Sequence, residues 1–268
     1  MDFSLDKILR RKKYQTGLAL SGGGARGISH LGAIKALQEH GYTFDIISGT
    51  SIGAIVGCLI CDGYTPDQVL AMLNPSRTKS FIKPNLSLSN LMKMEGARNF
   101  LNDVLRTKNI EDLSIPFISV ATNLIKGEAH CFQTGNIVDA VIASASIPVI
   151  FPPVEIDGER FVDGGVLHNL PVRPIRNCCR TVIGLHVNPE GLGMEDDDVK
   201  TMLQIAERSF YLAIRANVLE DQKQCDIFIE HSGLHEYKML NFEHIKDIFD
   251  VGYTNTKSFL DDMTRKNK

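Results

Sequence analysis

The chain has 268 residues, 43% hydrophobic and 23% charged, which suits one large domain with its own core and excludes a disordered chain. Its 29 Lys+Arg against 32 Asp+Glu leave a formal net charge of −3, so there is no global basic field for nucleic acid. At this size neither disulfides nor a structural metal is needed for stability.

Residues 1–14 form a basic N-terminal segment carrying Lys7, Arg10, Arg11, Lys12 and Lys13. No apolar h-region follows, so no signal peptide is predicted, and no apolar run approaches the ~18 residues of a membrane span. The cluster reads as a solvated face, or as a surface for anionic lipid headgroups.

Residues 15–268 read as a single α/β domain. Gly17–Leu20 is a buried strand running into Ser21-Gly22-Gly23-Gly24. Ile28, Leu31, Ile34 and Leu37 then make a helical stripe that Gly41 ends. Phe44–Ser48 is a second strand, and the turn Gly49–Gly53 opens a second apolar helix through Cys61. Two strand–loop–helix units predict a mostly parallel sheet. Cys58 and Cys61 form a C-x-x-C inside the apolar run 54–61; without a partner motif, core packing outweighs zinc. All six cysteines are expected to be reduced and mostly buried, as in a cytosolic protein.

Thr65-Pro66-Asp67-Gln68 predicts a capping box and a helix to about Leu73. The apolar, weakly periodic stretch 74–95 is either a packed connector or a lid. Strands are expected at 116–122, 129–132, 160–162, 181–187 and 226–229, with a helix from Asn136 through Ser144. Helical stretches follow at about 198–220 and 243–264, making 198–268 a largely helical C-terminal part. The acidic run Glu195–Asp198 suits a helix start.

Three constellations carry chemistry. Gly22-Gly23-Gly24-Ala25-Arg26-Gly27 lies between a strand and a helix, where bare amides and a helix N-terminus attract negative charge. It is formally a dinucleotide fingerprint, but Asp45 would start the next strand and point away from the loop. Gly49-Thr50-Ser51-Ile52-Gly53 sits in the strand–turn–helix context of a nucleophile elbow, its glycines giving the turn room. Asp163-Gly164-Gly165 can present a carboxylate at a strand end with little steric cover. Ser51, Asp163 and His168 follow the α/β-hydrolase order on paper. The elbow of that fold follows several strands, however, whereas Ser51 follows only the second.

Together the three motifs resemble the patatin-like phospholipase family. The stretch Ala143–Pro153 and Asn169-Leu170-Pro171 fit the same pattern, and the resemblance covers about residues 15–187. It implies a three-layer α/β/α sandwich and a Ser–Asp dyad without histidine or metal. Ser51 would be the nucleophile, Asp163 the general base and Gly22–Gly27 the oxyanion hole, with Arg26 shaping it. Gly49, Gly53, Gly164 and Gly165 would support the two turns. The implied activity is a lipid acyl hydrolase of phospholipase A or lysophospholipase type. It would form an acyl-serine intermediate, need no cofactor, take a phospholipid or other acyl ester, and work in the cytoplasm or at a membrane surface. Acyl transfer, thioester hydrolysis and nucleotide binding in the glycine loop are the alternatives.

Overall fold

The computed structural model describes residues 12–73, 83–84, 92–188 and 200–266. Lys7, Arg10 and Arg11, most of the 74–95 segment and the acidic run 195–198, with the lid and helix-start expectations placed on them, lie outside the described residues.

Strand β1 (Tyr14–Leu20) leads into the glycine loop, which coils as a 3-10 turn over Gly24–Ile28 before helix α1 (Ser29–Glu39). The stripe Ile28, Leu31, Ile34 and Leu37 is fully buried, as its spacing predicts. The elbow joins β2 (Ile46–Thr50) to α2 (Ile52–Cys61). Helix α3 (Pro66–Met72) opens with the expected capping box, in which Thr65 accepts from the Gln68 N–H. Helix α4 (Glu95–Val104) precedes the hairpin of β3 (Phe117–Asn123) and β4 (Glu128–Phe132). Asn136 caps α5 (Ile137–Ser144) by accepting from the Asp139 N–H.

A hairpin of β5 (Val154–Ile156) and β6 (Glu159–Asp163) follows. Its turn is Asp157-Gly158, both at positive φ, 52° and 78°. The short α6 (Arg173–Arg176), β7 (Cys179–His186), α7 (Met202–Gln222), β8 (Ile227–Glu230) and α8 (Ile245–Lys266) complete the chain. Helix α7 starts at Met202 rather than at 198, because Thr201 and Gln204 form a capping box that fixes its first turn.

The sheet has eight strands in the order β8-β7-β1-β2-β3-β6-β5, with β4 paired to β3 off this path. From β8 to β3 the neighbours are parallel; β4, β5 and β6 pair antiparallel. Alternate strand residues face opposite layers. Leu18, Leu20 and Ile47 join a core with α1, α2, α5 and α8. Ala19, Ile46 and Val182 join a second core with Ile175, Ile214 and Val218 from α6 and α7. This is the three-layer α/β/α sandwich expected from the sequence.

One feature of the register positions the site. Strand β4 occupies one edge of β3 from Ser119 to Asn123. The other edge is shared: β2 pairs with Phe117–Val120, and β6 comes from the opposite direction to pair with Ala121–Asn123. Thr50 is opposite Val120, and Asp163 is opposite Ala121. Strands β2 and β6 therefore run head to head in one lane, and the residues at their tips are forced together.

Candidate active site

Ser51 lies just beyond the tip of β2, at φ 56° and ψ −124°. This is a backbone conformation that L residues rarely adopt, and its neighbours explain why it persists. A Cβ at Gly53 would stand 2.3 Å from the Leu20 carbonyl oxygen, and one at Gly49 would stand 2.4 Å from that of Gly53. The Ser51 N–H donates to Ser144 Oγ at 2.9 Å, and that hydroxyl donates on to the Val120 carbonyl. The Ser51 carbonyl accepts from Ala54 and Ile55 at 2.9 and 3.1 Å, placing the serine at the positive end of α2.

Asp163 is the last residue of β6 and is 1% exposed. Its N–H donates to the Ser146 carbonyl at 2.8 Å, and its Oδ1 accepts from the Gly165 N–H at 2.7 Å. Its Oδ2 is buried without a hydrogen-bond partner. Burial pushes this carboxyl up to about 7, against the opposing pull of the neighbouring Ser51 hydroxyl and the Gly165 N–H. A carboxylate with a bare oxygen, titrating near neutrality beside a serine hydroxyl, has the attributes of a general base.

The glycine loop borders the serine: a Cβ at Gly22 would lie 3.1 Å from Ser51 Cβ. Two of its amides are already engaged. The Gly22 N–H donates to the Asn169 carbonyl at 3.2 Å and the Ala25 N–H to that of Met239 at 2.7 Å. Arg26 Nε donates to the Tyr237 carbonyl at 2.7 Å, so this side chain pins the loop from outside. Gly27 lets the loop pack directly on Ile52, since a Cβ there would fall 2.1 Å from its Cγ2. No described hydrogen bond uses the Gly23 or Gly24 N–H. Within Gly22–Gly27 the Gly22 and Ala25 amides are thus engaged, and those of Gly23 and Gly24 have no described acceptor.

From below, Asn188 Nδ2 donates to the Gly22 carbonyl at 2.7 Å. His30 Nε2 lies 2.9 Å from the Ser21 carbonyl, which can only accept, so this nitrogen carries the proton. Full burial drives the His30 pKa down to about 4, keeping the ring neutral. His168 takes no place beside Ser51 in the described contacts. Its Nε2 lies 3.3 Å from Asp221 Oδ2, and Oδ1 of the same carboxylate forms an ion pair with Arg173 Nε at 2.9 Å.

From Ser51 an apolar pocket, open to solvent at its mouth, extends between α2, α3 and α4. Ile55, Leu59, Val69, Leu73 and Ala97 line its depth, and Leu240 and Phe242 wall its other side. Among the described residues lining it, Ser51 alone carries a polar side chain. Cys58 and Cys61 sit in the core behind it as free thiols, and burial pushes both well above the usual thiol range. Asp45 is committed at the far end of β1, where it accepts from the Gln15 and Thr16 N–H groups at 2.9 Å.

Several supporting residues left no trace in the sequence. Asn188 is an ordinary residue whose role depends on which strands become neighbours. Tyr237 and Met239 act through backbone carbonyls, which any residue could supply.

A family model described as patatin-like phospholipase matches residues 18–175. An uncharacterized NTE family protein of Mycobacterium tuberculosis is 37% identical over 160 residues, covering 59% of this chain and 44% of that protein. Lysophospholipase NTE1 of Kluyveromyces lactis is 30% identical over 287 residues, covering 94% of this chain and 20% of that protein. Patatin-like phospholipase domain-containing protein 6 of Homo sapiens is 27% identical over 283 residues, with 93% and 20% coverage. The chain thus spans less than half the length of these relatives. The crystal structure of VipD from Legionella pneumophila shares the fold, with a TM-score of 0.52 at 18% identity over 94% of this chain and 67% of that one.

Proposed function

The chain belongs to the patatin-like phospholipase family, and on that premise we propose that it is a serine lipid acyl hydrolase of phospholipase A or lysophospholipase type. One observation carries the reading: the Ser51 hydroxyl stands at the polar end of an otherwise apolar pocket, beside a buried carboxyl titrating near 7.

In this mechanism Asp163 Oδ2 takes the Ser51 proton as Oγ attacks the ester carbonyl. The oxyanion that forms accepts from the Gly23 and Gly24 N–H groups, reinforced by the positive end of α2. Asp163 then returns the proton to the departing alcohol, leaving acyl-Ser51. A water activated by the same carboxylate releases the fatty acid. The acyl chain lies against Ile55, Leu59 and Leu73, whose dryness also keeps Asp163 weakly acidic. The lysophospholipase named among the relatives supports a lipid ester as substrate.

The test is hydrolysis of p-nitrophenyl acyl esters and of a lipid panel, with products identified by mass spectrometry. Ser51→Ala and Asp163→Asn should both be inactive while folded; full activity in either removes the dyad. Added alcohols or acyl thioesters in the same assay expose acyl transfer or thioester hydrolysis. The nucleotide alternative has little in its favour. Gly24 Cα packs against the Met239 carbonyl, and Asp45 lies at the wrong end of the sheet.

Membrane contact belongs to the same proposal. Among the described residues no helix is long and apolar enough to cross a membrane. Lys12 and Lys13 sit at the start of β1, the sheet end remote from Ser51, and Lys12 Nζ donates to the Arg176 carbonyl. Val149 is 63% exposed beside Ile147 and Phe151 at the pocket, so this segment is the better lipid-facing candidate. Val149→Asp should weaken vesicle sedimentation; unchanged sedimentation moves the contact elsewhere.

A further inference from the structure

Helix α7 lies outside the residues that the family model matches, yet one of its side chains touches the acid turn and the residue that anchors the glycine loop. Asn217 Nδ2 donates to the Gly165 carbonyl at 3.1 Å, and Asn217 Oδ1 accepts from the Asn169 N–H at 3.2 Å. A carbonyl can only accept and an N–H can only donate, so the carboxamide has one orientation. Both contacts continue inward. Gly165 donates to Asp163 Oδ1, and the Asn169 carbonyl receives the Gly22 N–H. We propose that Asn217 is a positioning residue that couples the acid turn to the glycine loop, setting the geometry of both for the Ser51–Asp163 reaction on which this inference rests.

Helix α7 is held by other means, so losing the carboxamide should not undock it. Ile214 and Val218 are buried in the second core, and Asp221 is fully buried against Arg173 and His168. Without Asn217 the Gly165 carbonyl loses its described side-chain donor, and the turn is held by the Gly165 N–H on Asp163 and by the Gly164 carbonyl, which accepts from Leu167 and His168. The Gly165 N–H then supports the carboxylate less firmly, which makes Asp163 harder to ionise. At the other end, the Asn169 N–H loses its described acceptor while Thr50 still holds the His168 carbonyl, and the Gly22 N–H bound by the Asn169 carbonyl loosens. Small misplacements of this kind act on kcat more than on substrate affinity.

The experiment compares wild type, Asn217→Ala and Asn217→Asp, with Leu212→Ser on the solvent face of α7 as the control. Active sites are titrated with a fluorophosphonate, and kcat and KM for a short p-nitrophenyl ester are measured across pH. For Asn217→Ala we expect kcat per titrated site to fall at least ten-fold and KM to stay within two-fold. The acid limb of kcat/KM should move to higher pH. Asn217→Asp keeps the acceptor for Asn169 but loses the donor to Gly165, so it should reproduce the pH shift. It is near-isosteric and carries the test if the alanine variant does not fold. An unchanged kcat per site and an unmoved acid limb, whatever the melting temperature, would overturn the proposal. Failure of the dyad itself reads differently: wild type would resist the fluorophosphonate, or Ser51→Ala would remain active.

Discussion

Ser51 sits at φ 56° and ψ −124°, whereas Asp163 sits at an unremarkable φ −48° and ψ 132°. The serine turn holds its cost in backbone torsion, of order ~1–3 kcal/mol. The aspartate turn does the reverse: relaxed backbone, but a carboxyl buried to 1% exposure and titrating near 7. In the proposed dyad torsion would aim a hydroxyl and desolvation would sharpen a base, so the two turns would divide the work of activation. The division predicts different responses to substitution.

The largest expected effect is on turnover. Ser51→Ala and Asp163→Asn should each lower kcat on p-nitrophenyl esters by ~10³-fold or more, and the double variant should be scarcely worse than either. Next comes stability, where the two variants part. Asp163 binds its proton more tightly folded than unfolded, so ionisation costs stability as pH rises from about 4 to about 7. Asp163→Asn, free of that cost, should be more stable than wild type by about 2–4 kcal/mol at pH 8 and little different at pH 4. Urea denaturation at both pH values would check this, and a gain independent of pH would break the desolvation argument. Smaller again is the pH dependence of activity. With the base titrating near 7, kcat/KM should rise roughly ten-fold between pH 6 and pH 8. The smallest effect isolates the torsion. Ser51→Gly should stabilise the fold by about 1 kcal/mol and Ser51→Ala should not, because only glycine relaxes at positive φ.

The turns of the proposed site were legible in the sequence. Gly49 and Gly53 flank Ser51 because the turn excludes any Cβ, and Gly164 is bare because a Cβ would fall 2.2 Å from the Val120 carbonyl. Such constraints write themselves as glycines. The capping residues Thr65 and Asn136 were equally readable, since their partners lie three residues away. Two local signals went unread: Asp157-Gly158 marks the β5–β6 hairpin, and Thr201 with Gln204 marks the true start of α7. The clamp around the glycine loop is another matter. Asn188 and Met239 reach it from more than 160 residues away, and Asn217 reaches it only through Asn169, so these contacts exist only once β1, β7 and α7 have been packed together.

The shared edge of β3 has a consequence for how this chain tolerates change. Val120 and Ala121 contribute no reacting atom, yet they act as a ruler: one marks where β2 must stop, the next where β6 must stop. Inserting a single residue between them would open the gap by ~3.3 Å and turn one tip toward the wrong face. Surface loops can lengthen without penalty to the chemistry, but this interior spacing cannot be edited by even one unit.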